Sequence, residues 1–518
     1  MFAMDRSSAI RSASQTSLGI PGLFVIGLLA VLAGLVATTE SPIAIALLVG
    51  LGVGGFLLVR TDISIWLILV GTFVINGVVS LAFPSFTKVS WLFSMLGFFL
   101  LAGGLLNQLT AHKARFSLPG FVILLLIMMG VSVGTSFFSQ GTLVEVFAGT
   151  KRTYQLWGLM LALALLPVDK TTFRRTGTWL KYLFVVALIQ LPVALFERIV
   201  LVPKRVGMGN GVVPIDIVSG TFEASLEGGG SSSVMCIFLI VTMAYVFSAW
   251  REKLIGTGRM IVFALFLGAP LFIGETKIVL ILVPMMFALV FATEIRRNPG
   301  TALLAMAVSG VLMVILAWVY FAVFAVQNKT PEQQFQKAMD YNFGSVGYYD
   351  RYSLNRTTAT TFWISEHGID RPVETIFGHG IGSSYAGAAS LAPGHLNKRY
   401  PFMAINLTGL STLLWDTGLL GTSLFLAALL AAWRASTRLM KAAVTGVSRA
   451  RVSAIRVSLA CIVFALLYSN SMFAGMSHET ILAFTFGYLA WLVRAQNSGL
   501  MQATPTQSHA HPLSDTRT

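Results

Sequence analysis

A succession of apolar runs, each long enough to cross a bilayer, is the feature that most constrains the fold of this chain. A helix needs about 20 mainly apolar residues to span the hydrocarbon core. Only 11% of the 518 residues are charged, whereas soluble proteins carry about 25%. The pattern predicts an all-α, polytopic integral membrane protein with about 14 transmembrane helices. The runs occupy residues 20–36, 42–59, 63–83, 91–109, 118–138, 153–168, 179–199, 233–250, 259–274, 277–293, 302–326, 409–433, 454–472 and 479–495.

The distribution of lysine and arginine predicts the orientation of these helices. With a cytoplasmic N-terminus, the basic segments 112–115, 170–181, 251–259, 296–297 and 434–456 all fall inside. The predicted outer loops near 40, 84–90 and 474–478 contain almost no lysine or arginine. Cytoplasmic loops are enriched in both residues. We therefore expect both termini to be cytoplasmic, and we attribute the net charge of +15 to loops beside anionic lipid rather than to nucleic-acid binding.

The charge pattern also divides the chain into functional segments. Residues 1–326 hold about 11 helices and residues 406–496 the last three, while 497–518 form a polar tail expected to be disordered. The single long polar segment, 327–405, is expected outside the membrane as one large loop. Within it, Thr330, Pro331 and Gln333 have the spacing of a helix start. A second short helix is expected over about 356–366.

The outer side contains cations but no cluster of metal ligands. No group of Asp, Glu or His there has metal-binding spacing, and Cys236 and Cys461 lie in apolar runs. Gly378, Gly380 and Gly382 do not complete a dinucleotide fingerprint and are interpreted as a flexible turn. Guanidinium groups stabilise phosphate charge through paired hydrogen bonds. The sequence therefore predicts metal-independent handling of an anion without a cofactor.

Several motifs in this order resemble the O-antigen ligase and Wzy-type polymerase superfamily, over about residues 180–433. The motifs are Gly220-Thr221-Phe222, Glu275-Thr276-Lys277, Asn355-Arg356 with Trp363, Ile376-Phe377-Gly378-His379-Gly380-Ile381-Gly382, and Leu413-Leu414-Trp415-Asp416-Thr417-Gly418-Leu419-Leu420-Gly421. The resemblance implies a GT-C-like membrane glycosyltransferase of the bacterial inner membrane. It also implies a donor glycan linked to undecaprenyl diphosphate, an acceptor glycan, and transfer at the periplasmic face.

The resemblance assigns roles to individual residues of the outer side. Arg356 and Lys277 would contact the diphosphate, with Arg351, Arg371 and Glu275 contributing to substrate binding. Ligases of the family carry a His-Asn pair where this chain has Leu407-Thr408. The general base is therefore expected at His395, with His478 as a second candidate. Glu223 and Glu275 are further alternatives for this role.

Three functions remain open at this point. The leading one is a polymerase that extends lipid-linked repeat units into an O-antigen or exopolysaccharide, with membrane lipid and a chain-length regulator or export machinery as partners. The second is ligation of finished glycan to an acceptor. The third is a lipid-linked oligosaccharide flippase or transporter. Transporters tend to have internal repeats and charges buried near the bilayer midplane, and neither is expected from this sequence.

Overall fold

A computed structural model describes most of the chain, namely residues 60–83, 90–110, 118–139, 141–208, 214–224, 226, 231–274, 277–300, 331–344, 353–387, 393–443 and 445–499. Two compact units divide at Ile63, and the account below concerns the second unit, Ser64–Thr518. The described residues form helices and contain no β-strand, which confirms the all-α prediction. Some predictions concern residues outside the described part of the chain. These are the runs 20–36, 42–59 and 302–326, Thr330, and the disordered tail beyond residue 499.

The described helices are numbered in chain order. They are α1 (Thr61–Ala82), α2 (Ser90–Thr110), α3 (Gly120–Ser136), α4 (Leu143–Tyr154), α5 (Trp157–Leu165), α6 (Lys170–Met208), α7 (Ser232–Arg251), α8 (Thr257–Ile273), α9 (Val279–Val290), α10 (Ala292–Arg297), α11 (Pro331–Phe343), α12 (Arg356–Glu366), α13 (Pro372–Phe377), α14 (His395–Arg399), α15 (Gly409–Ala442), α16 (Gly446–Tyr468) and α17 (Met476–Asn497).

Five of these helices are long and apolar enough to span a membrane. They are α1, α6, α7, α15 and α16. Four apolar helices are shorter: α3, α8, α9 and the part of α2 from Ser90 to Leu106. Each coincides with a predicted apolar run. Several boundaries were wrong, because α15 continues to Ala442 and α16 begins at Gly446, beyond the predicted runs 409–433 and 454–472. The predicted run 179–199 is likewise part of a helix that begins at Lys170 and continues to Met208 through a π-helical turn at Glu197–Leu201. Lys204 and Arg205 therefore belong to α6 rather than to the following loop.

The connections between helices gather at two opposite faces. On one, called the loop face, the Met476 N–H donates to Glu223 Oε1 (3.1 Å) and Asn470 donates to the Asn406 carbonyl (2.7 Å). On the other, called the basic face, Arg449 pairs with Glu252 at 2.9 Å. The predicted inner segments 251–259 and 434–456 thus meet on one face, as the charge pattern requires.

Helix α5 lies at the centre of the bundle. Eight of its nine residues, Trp157 to Ala164, are buried. The helix packs between α2 and α17. The crossing with α2 depends on Gly97 and Gly158. A Cβ on Gly158 would collide with the α2 backbone, and one on Gly97 would collide with the Gln155 carbonyl just before α5. Small residues at such a crossing allow two helix backbones to approach closely.

Helix α15 is interrupted within the bundle. Gly418 has φ 63° and ψ −164°, which divides the helix into two segments. Segment 378–384 of the large loop packs into this break. The His379 N–H donates to the Trp415 carbonyl (2.9 Å) and the Gly380 N–H to the Asp416 carbonyl (3.1 Å). The break thus supplies free carbonyl groups that hold the loop against the bundle.

Candidate functional site

Helix α12 begins at a capping box that fixes the position of Arg356. Asn355 Oδ1 accepts a hydrogen bond from the Thr358 N–H (2.7 Å), and the Asn355 N–H donates in turn to Thr358 Oγ1 (2.7 Å). Its bounds, Arg356–Glu366, are those expected from the sequence. Arg356 Nε donates to the Tyr468 carbonyl (2.6 Å) and Nη1 to Asn342 Oδ1 (2.6 Å). The guanidinium also stacks 4.0 Å from the Tyr468 ring, so this arginine joins α11, α12 and α16.

Trp363 anchors α12 against the bundle. Its side chain is 5% exposed and belongs to a cluster of buried residues formed with Leu396, Ile405, Leu414 and Trp415. The cluster brings together the large loop and the first segment of α15. It therefore fixes the loop helices α12 and α14 relative to the bundle.

Three histidines lie in a row beside Trp415. His367 Nδ1 is 2.9 Å from the Trp363 carbonyl, so this nitrogen carries the proton. His367 Nε2 must then accept from His379 Nε2, which lies 2.9 Å away. The ring centroids of His379 and His395 are 6.3 Å apart. Burial lowers the pKa of both His367 and His379 and so favours neutral rings, and in neutral rings these contacts fix the tautomer of each.

The surroundings of His379 keep that ring neutral. Burial is the largest effect, and the pKa of His379 is lowered to about 3. The charges of Arg371 and Arg399 contribute in the same direction. Burial likewise lowers the pKa of His367. Arg371, predicted to bind substrate, is exposed and lies close enough to act on both rings.

His395 has a different environment, which suits a general base. Its Nδ1 is 2.6 Å from Glu145 Oε1, on a side chain that is 11% exposed. A carboxylate accepts and cannot donate, so Nδ1 carries a proton, and in the neutral ring Nε2 then holds the lone pair. His395 is half-buried, with 24% of its side chain exposed. A histidine oriented by a carboxylate, with its second nitrogen basic, is the arrangement that removes a proton from a hydroxyl.

Helix α4 connects this dyad to the bundle. Glu145, Gly149 and Arg152 fall on one face at intervals of about one helical turn. Gly149 packs directly against the backbone of Ile381 and Gly382, and Arg152 stacks 4.4 Å from the Tyr385 ring. This helix was not among the predicted elements. A signal was present, because Lys151 and Arg152 are basic residues between the runs 118–138 and 153–168, on the side that the predicted topology places outside.

The glycine-rich run is not a phosphate-binding turn. Gly378, Gly380 and Gly382 all have positive φ, which agrees with a turn, but their N–H groups are occupied. Gly382 N–H donates to Asp416 Oδ2 (3.0 Å) and Ile381 N–H to Ser136 Oγ (2.7 Å). The amides of this turn are therefore bonded within the protein rather than available to a ligand. Asp416 is the reason, since its carboxylate also accepts from Ser383 and Ser384.

A second polar group lies in the bundle below the loop face. Gln155 donates to Glu479 Oε1 (3.0 Å) and accepts from Ser94 (2.6 Å). Lys151 lies 4.6 Å from the Trp91 ring centre. Burial lowers the pKa of Lys151, while Glu479 and Glu223 oppose that change. The sequence predicts no charges buried near the bilayer midplane, and this group lies elsewhere. These charges lie in the first turn of α17 and the last turn of α4, towards the loop face.

The remaining predicted residues occupy other positions. Lys277 is exposed beside α9, and its charge opposes the rise in the pKa of Asp216 that burial causes. His478 is 1% exposed and its Nδ1 is 3.0 Å from Ser471 Oγ. Arg351 and Glu275 lie outside the described residues. The structure thus brings together His395, Arg371 and the loop helices, whereas Lys277 lies beside the segment containing Asp216.

Comparison with known proteins supplies no family for this chain. No protein-family model matches it, and no curated protein matches it. Within the described residues, no three His, Cys, Asp or Glu side chains are arranged to hold a metal ion. Function is therefore inferred from the geometry of the loop face.

Proposed function

We propose that the chain is a membrane glycosyltransferase that polymerises lipid-linked oligosaccharide repeat units at the loop face. The observation that carries this proposal is the pair formed by His395 Nδ1 and Glu145 Oε1 at 2.6 Å. The reaction requires a base at the acceptor hydroxyl and cations at the leaving diphosphate. We place it at the periplasmic face of a bacterial inner membrane, with both termini in the cytoplasm.

The proposed chemistry is a single displacement at the anomeric carbon of the donor. The acceptor hydroxyl oxygen forms a new bond to that carbon as the bond to the diphosphate oxygen breaks. The hydroxyl proton passes to His395 Nε2, and the bonding electrons leave with the diphosphate. Arg371 and Arg399, whose charges act on His379, are cations beside this group of histidines. Arg356, Lys277 and Arg351 remain proposed contacts of the diphosphate.

Substitution of His395 tests this assignment. We expect His395→Ala to reduce transfer by about 100-fold or more, the usual contribution of a general base. Glu145→Gln should cost less, because glutamine keeps a hydrogen-bond acceptor but removes the charge that stabilises the protonated ring. His478→Ala should also cost less. Polymer formation by purified protein from a lipid-linked repeat unit, with and without EDTA, is the measurement, and transfer should survive chelation.

Lys398→Ala provides a matched control on the same short helix. Lys398 is exposed on α14, and its loss should leave transfer close to the wild-type rate. Near-normal transfer by His395→Ala at matched membrane levels would remove the histidine from the mechanism.

One observation favours the flippase or transporter alternative. Helix α15 is interrupted at Gly418, and interrupted helices with nearby buried charge are common in transporters. Deletion of the protein, followed by analysis of lipid-linked glycans, separates the candidates. Single repeat units on the outer leaflet indicate a polymerase and unattached polymer a ligase. Units retained on the cytoplasmic leaflet indicate a flippase.

A further inference from the structure

A large cavity lies away from the candidate active site, between α6, α7, α8, α16 and α17. Its volume is about 810 Å³, within the range of small-molecule sites. The walls are mostly apolar, and the lining includes Phe184, Phe238, Val246, Phe263, Ile455 and Ile481. An apolar interior of this size suits a hydrocarbon chain.

Two cations line the end of the cavity that lies towards the basic face. Lys181 is exposed and Arg451 is half-buried. Arg451 Nη1 donates to the Tyr488 hydroxyl (3.2 Å), and the guanidinium lies 4.8 Å from the Phe173 ring centre. Its Nε is buried and has no hydrogen-bond partner. Within the described residues, no carboxylate pairs with Lys181 or Arg451, whereas nearby Arg449 is paired with Glu252.

We propose that this cavity binds an anionic glycerophospholipid. Its phosphate would lie at Lys181 and Arg451, and an acyl chain would enter the apolar interior. Basic pockets between transmembrane helices on the cytoplasmic side bind anionic lipid headgroups. Val185 and Leu254 line the cavity and are 50% and 41% exposed, which provides a path from the bilayer. A polyprenyl-diphosphate donor is a poorer match, because the proposed transfer site lies on the opposite face.

Lipid titration of the purified full-length protein tests the proposal. We expect phosphatidylglycerol to raise the Tm in detergent with saturation, since a ligand that binds only the folded state stabilises it. Phosphatidylcholine, which has no net charge, should raise the Tm less and without saturation. Undecaprenyl phosphate forms a third arm. Tighter binding of that lipid than of phosphatidylglycerol would overturn the choice of ligand.

Substitutions at the cavity locate the binding. Lys181→Gln should raise the half-saturating phosphatidylglycerol concentration about fivefold, the contribution of one cation near anionic lipid. Ala454→Trp, which places an indole in the lining, should abolish saturation. Arg438→Gln removes an exposed cation outside the cavity lining and should leave the titration unchanged.

Two results of these titrations would contradict lipid binding in the cavity. An unchanged half-saturation in Lys181→Gln would assign the lipid to the general protein surface. Absence of saturation in the wild type would contradict binding of phosphatidylglycerol in the cavity. Should Ala454→Trp fail to fold, Lys181→Gln against Arg438→Gln still decides the proposal, because both substitutions remove one charge from an exposed side chain.

Discussion

Arg356 is bonded to two separate acceptors, which gives its substitution a clear expected result. Lysine carries a point charge and cannot reproduce the bonds to Tyr468 and Asn342 together. We expect Arg356→Lys to lower the free energy of unfolding by about 1–3 kcal/mol, which lowers the Tm. The variant should also lose most transfer. Arg356→Ala should lose essentially all transfer. Thermal melts and polymer length profiles at matched expression provide the measurements.

A partner substitution separates anchoring from diphosphate binding. Asn342→Ala removes one acceptor of Arg356 but keeps the guanidinium. If Arg356 contacts the diphosphate, Asn342→Ala should retain much more transfer than Arg356→Lys. Equal losses in the two variants, or full-length polymer from Arg356→Ala, would contradict a role in catalysis.

His379 predicts a dependence of stability on pH. Its pKa is about 3 in the folded protein, against an ordinary value of 6.5. Below about pH 6.5 the unfolded chain binds a proton that the folded chain does not, so the unfolding free energy falls as pH falls towards 3. Tm measured between pH 4 and 8 should therefore decline on the acid side. His379→Gln should reduce that decline, and an unchanged slope would contradict the assignment.

Lys151 and Arg152 are exceptions to the charge pattern that could have indicated the polar site. Lys151 and Arg152 lie in a segment predicted to be outside, where basic residues are unusual for a membrane protein. The structure places one over Trp91 and the other over Tyr385. Departures from the positive-inside pattern were therefore informative about the polar site. Their partners, however, come from segments distant in sequence and could not be predicted.

At the scale of elements, the break in α15 depends on glycine. The φ and ψ of Gly418 fall in a region that only glycine readily adopts. A Cβ on Gly418 would lie 2.5 Å from Gly378 N. We expect Gly418→Ala to cost about 1–3 kcal/mol or more in stability and to release segment 378–384. Thermal melts combined with protease sensitivity of the large loop measure both effects.

Gly130→Ala serves as the comparison for this substitution. Gly130 lies in α3, and a Cβ there meets nothing within 4 Å. Alanine is the better helix former by about 1 kcal/mol, so this variant should be neutral or slightly more stable. If Gly418→Ala is as stable as Gly130→Ala, the break in α15 tolerates a Cβ and does not depend on glycine.

Element boundaries could be predicted where the signals are local. The start of α12 at Arg356 and of α11 at Pro331 follows from residues within a few positions of each helix end. The extension of α6 to Met208 could not be predicted, because Lys204 and Arg205 look like loop residues. Arg205 is in fact 4% exposed and donates to the Leu226 carbonyl (3.0 Å). A tertiary contact therefore extends the helix beyond its apolar run.

At the scale of the whole molecule, the two faces should differ in labelling from outside the cell. Cys236 and Cys461 are buried, so a Cys236→Ala, Cys461→Ala background carries no competing thiol. Asp370→Cys lies on the exposed large loop, and Thr445→Cys lies on the basic face. We expect an impermeant maleimide to label only Asp370→Cys in intact spheroplasts. Labelling of Thr445→Cys under those conditions would reverse the predicted orientation.

The site itself depends on contacts that no local pattern encodes. Glu145 and His395 are 250 positions apart, and Gln155 and Glu479 are 324 apart. Composition predicts which face carries each segment, but not which side chains meet there. The histidine was identified as a candidate base from the sequence, whereas its carboxylate partner required the fold.

The bonding between segment 378–384 and the break in α15 has a consequence for domain exchange. Asp416 accepts from three groups of the loop, and the loop in turn donates to carbonyls that only an interrupted helix leaves free. A chimera that imports residues 353–406 from another protein but keeps residues 409–421 would leave a buried carboxylate and broken backbone pairs. In chimeras, the large loop and the first part of α15 should therefore be exchanged together as one unit.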